Sequence, residues 1–423
     1  MTMSLHATIK SGYKQTEGGA IPEGWTVLTI AELAEKIIDY RGRTPKKLGM
    51  EWGGGDIPAL SAGNVKMGHI DLDEETYWGS DSLYKRWMTN GDTRKDDVVL
   101  TTEAPLGNVA LIPDARRYIM SQRTILLQTN PARVVNRFMF HLMRSQSFQR
   151  LLTENSTGST AAGIKRAQFE RLELTLPPIH EQYAITEVLS DVDKLLGAMN
   201  NLIAKKRDLK QAAIQQLLTG KRRLPGFSGE WEVKRLGQLC RSITDGTHFT
   251  PTYVSNGVPF YSVENVTADN FSETKFITRR AHNILIKRCK PEKGDILLTR
   301  IGSLGDTKLI DWDVDASIYV SLALLKPGDR VDSRYLYYYS KHRQFVEDLE
   351  ARSLMNAAPK KINMGEIGAV PIPLPLLTEQ TAIASILSDM DAELVALEQR
   401  RDKTRAIKLG MMQELLTGKT RLL

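Results

Sequence analysis

The feature that most constrains this chain is an internal repeat. Residues 181–224 align without a gap on residues 379–422, at an offset of 198, and 21 of the 44 aligned positions are identical. Both copies begin with Glu-Gln and end in Leu-Leu-Thr-Gly-Lys, followed by a few basic and apolar residues. Self-similarity over such a length indicates a fold assembled from duplicated units.

Weaker similarities extend the duplication to the rest of the chain. The segment VPFYSVENV (258–266) matches IPALSAGNV (57–65), and GDILLTRIGSLGDTKLI (294–310) matches DDVVLTTEAPLGNVALI (96–112). A single core stops growing at about 250–300 residues, so a chain of 423 residues suits two domains. The order predicted is therefore globular domain, helix, globular domain, helix.

The repeated segments carry the signals of long helices. Pro177 and Pro178 precede the first segment and Gly220 follows its apolar run, which are start and stop signals. Between them, apolar residues recur every three or four positions, as in a coiled-coil seam that Lys206 interrupts. About 38 helical residues would span close to 60 Å, more than the width of a domain. We expect the two helices to pack on each other and to leave apolar surface for a partner protein.

The globular halves alternate short β-rich runs with helical stretches. SLALLKP (321–327) is a typical β-rich run, and RFMFHLMRSQSFQRLL (137–152) is a typical helical stretch. Each half is therefore predicted to be an α+β domain. The predicted boundaries are an N-terminal extension at 1–20, a first domain at 21–176, a central helical segment at 177–222, a second domain at 223–374 and a C-terminal helical segment at 375–423.

Composition narrows the kind of partner. A net charge of +7 and a pI near 9.1 favour polyanions such as nucleic acid. We find no signal peptide and no apolar run long enough to cross a membrane, so a cytoplasmic protein without membrane contact is expected. The two cysteines, Cys240 and Cys289, lie in no CxxC motif and are predicted to be reduced structural thiols.

These motifs resemble those of the specificity subunits of type I restriction-modification enzymes, over nearly the whole chain. The resemblance rests on the doubled helices that run from LPxxxEQ to LLTGK. It also rests on a Trp-led strand followed by a Thr-Pro loop, RGRTP (41–45) in one half and THFTP (247–251) in the other, and on the IP-x-x-S turn and the LTRxGxxG-like hairpin. It implies two target recognition domains that are held apart by an antiparallel pair of helices. Each domain would read one half of a bipartite DNA target. Because the loops differ between the copies, we expect the target to be asymmetric.

The resemblance also implies which chemistry lies on other subunits. Two modification subunits would dock on the helices and carry S-adenosylmethionine and adenine methylation, while restriction subunits would carry ATP, Mg and the translocase and nuclease activities. The chain itself shows no HExxH, no NPPY or DPPY, no GxSxG and no Gly-rich cofactor loop. It is therefore predicted to be non-catalytic, with no cofactor and no metal of its own.

The candidate DNA-binding residues lie in three loops of each domain. Basic side chains there would bind phosphates, while Arg favours guanine and Asn or Gln favours adenine. In the first domain the candidates are Arg41, Arg43, Lys46, Lys47, Thr102, Glu103, Asn108, Lys165 and Arg166. In the second domain they are His248, Thr250, Arg300, Ser303, Asn356, Lys360 and Lys361.

Two other motifs admit a catalytic interpretation that we do not favour. Gly418-Lys419-Thr420 imitates the end of a phosphate-binding loop, but Gln413 stands where that loop requires glycine, so we predict a helix C-cap. The pairs Asp191/Asp193 and Asp389/Asp391 suggest a metal site, but residues two apart on a helix point to different faces. We interpret them as surface or interface carboxylates.

The alternative function is a coiled-coil scaffold or adaptor that holds proteins together without reading DNA. It accounts for the helices. It does not explain why basic loops differ between domains that otherwise match.

Overall fold

The computed structural model describes residues 11–16, 19–158, 162–354 and 357–422. It divides into two compact units: unit 1 comprises the described residues up to Met199 and those from Arg400 onward, and unit 2 comprises Asn200–Gln399. The division falls within the two long helices. Each unit therefore contains one globular domain together with part of each helix.

The first globular domain consists of short strands, short helices and one turn of 3-10 helix at Pro45–Leu48, and the first long helix follows it. The strands are β1 (Tyr13–Thr16), β2 (Gly19–Pro22), β3 (Thr26–Thr29), β4 (Ala34–Asp39), β5 (Ile57–Leu60), β6 (Val65–Lys66), β7 (His69–Ile70), β8 (Trp78–Gly79), β9 (Val98–Thr102), β10 (Leu106–Leu111), β11 (Ile119–Met120), β12 (Thr124–Thr129) and β13 (Glu173–Leu176). The helices are α1 (Ile30–Leu33), α2 (Asp81–Trp87), α3 (Asn136–Met143), α4 (Gln146–Glu154), α5 (Arg166–Glu170) and the long α6 (Ile179–Leu217).

The second globular domain and the second long helix repeat this pattern. The strands are β14 (Glu232–Arg235), β15 (Cys240–Asp245), β16 (Tyr253–Val254), β17 (Val258–Tyr261), β18 (Lys275–Ile277), β19 (Ile296–Thr299), β20 (Thr307–Leu309), β21 (Ser317–Ile318), β22 (Leu322–Pro327) and β23 (Pro371–Leu374). The helices are α7 (Leu236–Leu239), α8 (Val263–Thr267), α9 (Arg279–Leu285), α10 (Ser333–Ser340), α11 (Arg343–Ala351), α12 (Met364–Gly368) and the long α13 (Leu377–Leu415).

A four-stranded antiparallel sheet forms the centre of each globular domain. Its strand order is β10-β9-β12-β4 in unit 1 and β20-β19-β22-β15 in unit 2, which correspond strand for strand. Mixed helices and strands in this repeated arrangement confirm the predicted α+β duplication.

Both faces of each central sheet are covered. In β9, Val98 and Leu100 pack into one core with α3 and α4, whereas Val99 packs into a second core with Trp87 of α2. Successive side chains of a strand point to opposite faces, so burial of all three requires cover on both sides. In unit 2, Ile296 and Leu298 of β19 pack into one core, whereas Leu297 between them packs into another. The sheet edges and ends are thereby left to carry the loops.

The long helices pack on each other within each unit. In unit 1, Ile185 and Leu189 of α6 share a buried cluster with Met412 and Leu415 of α13. In unit 2, Arg207 of α6 pairs with Glu398 and, further along, Lys210 pairs with Asp391. The α13 partner number falls as the α6 number rises, so the helices run antiparallel. This confirms the predicted packing; each helix has 39 residues.

The Leu-Leu-Thr-Gly-Lys motifs end the helices, as predicted. Gly220 and Gly418 follow the last helical turns with φ of +69° and +72°, the left-handed conformation typical of a helix C-cap. A side chain at Gly418 would also place its Cβ 2.6 Å from Cγ of Pro22. In unit 1 the Tyr13 hydroxyl donates to the Gly418 carbonyl at 2.8 Å, so part of the predicted N-terminal extension packs on this helix end.

The repeated aspartate pairs also behave as predicted. Asp191 lies on the surface and pairs with Lys194, while Asp193 lies at the helix interface, where its carboxylate is 2.6 Å from the buried Lys408. In unit 2 the equivalent Asp391 accepts a hydrogen bond from the Tyr338 hydroxyl at 2.8 Å. His141 is the sixth residue of α3, as Tyr338 is of α10, and it is 1% exposed.

His141 is an unfavourable residue for this place, and the other copy shows a better one. Burial lowers the pKa of His141 to about 3, with a smaller contribution from the charge of Lys408, and its Nδ1 atom has no hydrogen-bond partner. A neutral histidine is thus required in the folded state.

Replacing His141 with tyrosine, H141Y, is expected to remove an acid sensitivity of unit 1. The pKa of His141 is lower in the folded state than the ordinary value of about 6.5 in the unfolded chain. The unfolded chain therefore takes up the proton first, and stability falls as the pH drops below about 6.5; between pH 7 and pH 5 the loss is about 2 kcal/mol. Urea denaturation of both proteins at these two pH values measures it. An equal pH dependence in the two proteins would contradict the assignment.

The two cysteines, Cys240 and Cys289, are free thiols. Burial raises the pKa of Cys240 to about 12 and also raises that of Cys289, and neither forms a disulfide. Both are therefore protonated and unreactive at neutral pH. Among the described residues, no helix combines the length and hydropathy needed to cross a membrane.

Candidate nucleic-acid interface

Three loops of unit 1 converge on one surface. We define loop face 1 as residues 39–48, 102–108 and 162–166. The Ile164 amide donates to the Thr102 carbonyl at 3.0 Å, and the Arg41 guanidinium donates to the Ile164 carbonyl at 2.9 Å. These bonds join the opening loop, the hairpin and the segment before α5, which the sequence had indicated only as separate regions.

The equivalent loops converge in unit 2. We define loop face 2 as residues 245–251, 300–306 and 357–363. The Ile362 amide donates to the Arg300 carbonyl at 3.0 Å, and the Gly302 amide donates to the Lys360 carbonyl at 2.8 Å. The same scaffold thus carries two different sets of side chains.

Exposed lysines stand on both faces. Lys46 and Lys165 lie on loop face 1, and Lys360 and Lys361 lie on loop face 2. None of the four forms an ion pair within the part of the chain that the structure describes. Exposed lysines without an ion pair suit phosphate binding, which contributes affinity and salt dependence without reading sequence.

Other predicted residues of loop face 1 already have partners. Arg43 donates to the Trp87 carbonyl and lies 5.0 Å from the centroid of the Tyr40 ring. Lys47 donates to the Gly42 carbonyl at 2.6 Å, Arg166 pairs with Glu170 at 2.7 Å, and Glu103 lies 3.8 Å from Arg123. The exposed ion pairs of Arg166 and Glu103 contribute about 0–1 kcal/mol each, so they are easily exchanged for contacts with a ligand.

Three predicted residues do not present their side chains for contact. Thr102 and Arg300 are 1% and 7% exposed, and the Asn108 amide donates to the Val65 carbonyl at 2.9 Å. A buried or committed side chain cannot reach a base edge in this conformation. We therefore interpret these three as residues that support the loops, and DNA contact by them stays a prediction.

The remaining predicted residues of loop face 2 are exposed. His248 Nε2 lies 2.9 Å from an oxygen of the buried Asp245, the Thr250 hydroxyl lies 3.3 Å from that of Tyr319, and Ser303 donates to Asp306. Asn356 lies outside the described residues. DNA contact by the exposed residues stays a prediction.

Two exposed residues at loop face 2 were not among the candidates predicted from the sequence. Phe249 is 63% exposed on loop face 2, and Arg288, from outside the defined loops, pairs with Asp245 while its side chain stays largely exposed. Phe249 lies within the THFTP motif, and Arg288 lies in the basic run 287–290. The sequence therefore contained a pattern that could have identified each of them as a candidate. Exposed apolar side chains on DNA-binding loops commonly wedge between base steps.

Two open clefts adjoin loop face 1. One, of about 520 Å³, includes Arg43 and Arg123 together with Trp52 and Tyr77, whose rings stack at 5.4 Å. The other, of about 550 Å³, lies between Arg41 and the pair Lys165 and Arg166. In the first cleft the guanidinium groups lie beside aromatic faces, which suits nucleic acid because it offers phosphates, base edges and π-faces; the second cleft offers cationic side chains.

The duplicated fold and the two loop faces are those of a known class of proteins, as comparison with protein families shows. The family model described as "Type I restriction modification DNA specificity domain" matches residues 22–205 and again 228–405. The chain therefore belongs to the family of type I restriction-modification specificity proteins, as the sequence motifs indicated.

Several relatives match over the full length. The chain is 23% identical to a putative type I restriction enzyme MjaX specificity subunit of Methanocaldococcus jannaschii, over 100% of this chain and 99% of the relative. It is 19% identical to the EcoBI specificity subunit of Escherichia coli, over 98% and 90%. Among solved structures, a type I S subunit from M. genitalium aligns with a TM-score of 0.59 and 17% identity over 98% of each chain, which shows a shared fold.

Proposed function

We propose that this chain is the DNA specificity subunit of a type I restriction-modification complex, in which each loop face reads one half of an asymmetric bipartite target. The observation that carries the proposal is the double convergence: three loops meet on the same scaffold in both units but carry different side chains. Family membership supports DNA specificity over the alternative scaffold function.

The differences between the faces are what an asymmetric target requires. Phe249 occupies on loop face 2 the place of Arg43 on loop face 1, directly before the Thr-Pro pair, and Asn363 occupies the place of Lys165. Arginine, lysine, asparagine and phenylalanine differ in the base edges and steps they favour. Equivalent backbones with such exchanges would read different half-sites.

The partners follow from the exposed apolar residues of the long helices. In unit 2, Leu202, Leu209 and Val395 are 41%, 49% and 51% exposed, and in unit 1 Tyr183 and Ile407 are 60% and 52% exposed. Apolar side chains repeated along a charged helix are typical of a docking surface. We assign them to two modification subunits, which would carry S-adenosylmethionine. Restriction subunits would supply ATP- and Mg-dependent steps, while this chain, in the cytoplasm, would remain non-catalytic and its helices would set the half-site spacing.

Selection from random-sequence DNA by the chain together with its modification subunits tests the proposal. We expect enrichment of a split motif with two different half-sites. The double variant K360A/K361A is expected to keep the motif but to reduce the slope of log affinity against log salt by about 2, because two phosphate contacts are lost.

The matched control is R343A, on an exposed arginine of α11 that pairs with Glu347. It is expected to leave both the motif and the slope unchanged. Salt-sensitive binding with no motif, or no binding at all, would overturn the proposal in favour of the scaffold.

A further inference from the structure

One guanidinium occupies the same place in both units although it comes from different sequence positions. In unit 2, Arg300 donates Nε–H to the Ile362 carbonyl at 3.1 Å and Nη1–H to the Asp245 carboxylate at 3.2 Å. In unit 1, Arg41 donates Nη1–H to the Ile164 carbonyl at 2.9 Å and Nε–H to the Asp39 carboxylate at 3.0 Å.

The acceptors of the two arginines are equivalent. Asp39 and Asp245 are the last residues of β4 and β15, which hold the same place in the two central sheets. Ile164 and Ile362 are related by the 198-residue offset, and both donate a backbone hydrogen bond of 3.0 Å to the hairpin strand. The two sites are therefore built on one frame.

The arginines themselves are exchanged with threonines. The backbone bond that Ile362 makes to Arg300 is made by Ile164 to Thr102, so Arg300 corresponds to Thr102. Arg41 and Thr247 each stand two residues after the aspartate. Each unit thus has one arginine and one threonine at these two positions, in opposite order.

Neither threonine replaces the arginine. The Thr102 hydroxyl is buried without a hydrogen-bond partner, and the Thr247 hydroxyl donates to the Phe249 carbonyl at 3.1 Å. The aspartates are nearly buried, with side chains 10% exposed for Asp39 and 7% for Asp245. A carboxylate in such a place requires a charged, hydrogen-bonded partner, and a guanidinium also has donors left for the carbonyl.

We propose that this guanidinium clamp, supplied from either of the two positions, fixes each loop face for DNA reading. The inference rests on the proposed function and deepens it: Arg41 and Arg300 are positioning residues that tie the opening loop to the segments carrying Lys165 and Lys360. In the structure both guanidinium groups donate to a carboxylate and a carbonyl of the protein itself. We therefore expect the difference between the half-sites to come from other side chains of the two faces.

Exchanging the arginine between the positions tests the clamp. In R300T we expect faster amide hydrogen exchange in residues 246–251 and 357–362 and at least tenfold weaker binding to DNA carrying the second half-site, with the first half-site still read. The double variant T247R/R300T places a guanidinium as in unit 1. It is expected to restore both slow exchange and binding to within about threefold.

A matched control is R288A, because Arg288 also pairs with Asp245 but has no bond to Ile362. It is expected to leave the exchange of residues 357–362 slow. Should R300T fail to fold, the pair R41T and R41T/T102R provides the same comparison in unit 1, where the arginine side chain is 27% exposed.

The outcomes separate the clamp from the proposed function. A folded T247R/R300T that exchanges as fast as R300T overturns the clamp, as does an R300T with unchanged exchange. Restored exchange without restored binding overturns the positioning role, since the arginine would then contact DNA itself. If the unmodified complex selects no motif, the proposed function fails, while the exchange measurements still decide whether the clamp holds the loops.

Discussion

Replacing Arg421 with alanine, R421A, is expected to lower the free energy of unfolding of unit 1 by about 2–3 kcal/mol. The carboxylate of Glu181 is 0% exposed and binds Arg421 through Nε at 2.6 Å and Nη2 at 2.8 Å, while Trp25 Nε1 donates to it at 3.1 Å. Loss of the guanidinium leaves a buried charge with a single donor. The expected cost lies below that of a fully buried pair because the Arg421 side chain is 28% exposed.

The other copy of the repeat provides a comparison. In unit 2, Arg223 and Trp231 donate to the carboxylate of Glu379 in the same arrangement, so R223A is expected to destabilise unit 2 in the same direction. Urea denaturation measures both effects.

The double variant E181Q/R421A serves as the control for charge, because a neutral amide is cheaper to bury than an unpaired carboxylate. It is expected to recover more than half of the loss. A double variant as unstable as R421A would show that packing of the arginine, not the buried charge, is responsible.

Deleting one heptad from each long helix is expected to change the preferred spacing between the half-sites and to leave the half-sites themselves unchanged. Residues 205–211 of α6 and 390–396 of α13 lie opposite each other in unit 2, as the pair Lys210 and Asp391 shows. Removing both segments keeps the antiparallel register. Each helix shortens by about 10 Å, close to three base pairs of duplex, and seven residues are almost two whole turns.

Selection from random DNA with the shortened chain and the proposed modification subunits measures the spacing. The control deletes residues 205–211 alone, which breaks the register and should reduce stability as well as binding. A changed half-site with an unchanged spacer would contradict the role of the helices in setting the distance.

Local periodicity explains why so much of the architecture could be predicted. A helix with apolar residues every three or four positions must bury one face, so the two segments were identified as packed helices, and the structure has them at Ile179–Leu217 and Leu377–Leu415. The loops were also found as regions, because the duplication aligns them. The loops converge because the strands that carry them have the same order in both central sheets. The sequence indicates this strand order only indirectly.

The role of individual loop residues could not be predicted in the same way. Arg300 and Lys360 both lie in polar loops by sequence, yet Arg300 is buried against Asp245 and Lys360 is exposed. The division into compact units also falls inside the long helices and not between helix and domain. Such outcomes depend on which distant groups meet.

The sequence by itself determined that this protein is a duplicated α+β chain with two packed helices and a DNA-specificity family's motifs, because repeats and apolar periods are local properties of the chain. Only the tertiary structure decided which arginines form hydrogen bonds within the protein. A guanidinium is drawn to the nearest buried carboxylate and free carbonyl, and in Arg41 and Arg300 those groups lie on segments far apart in sequence from each other. Folding decides which of these groups an arginine meets, so its partners cannot be read from the sequence of either loop.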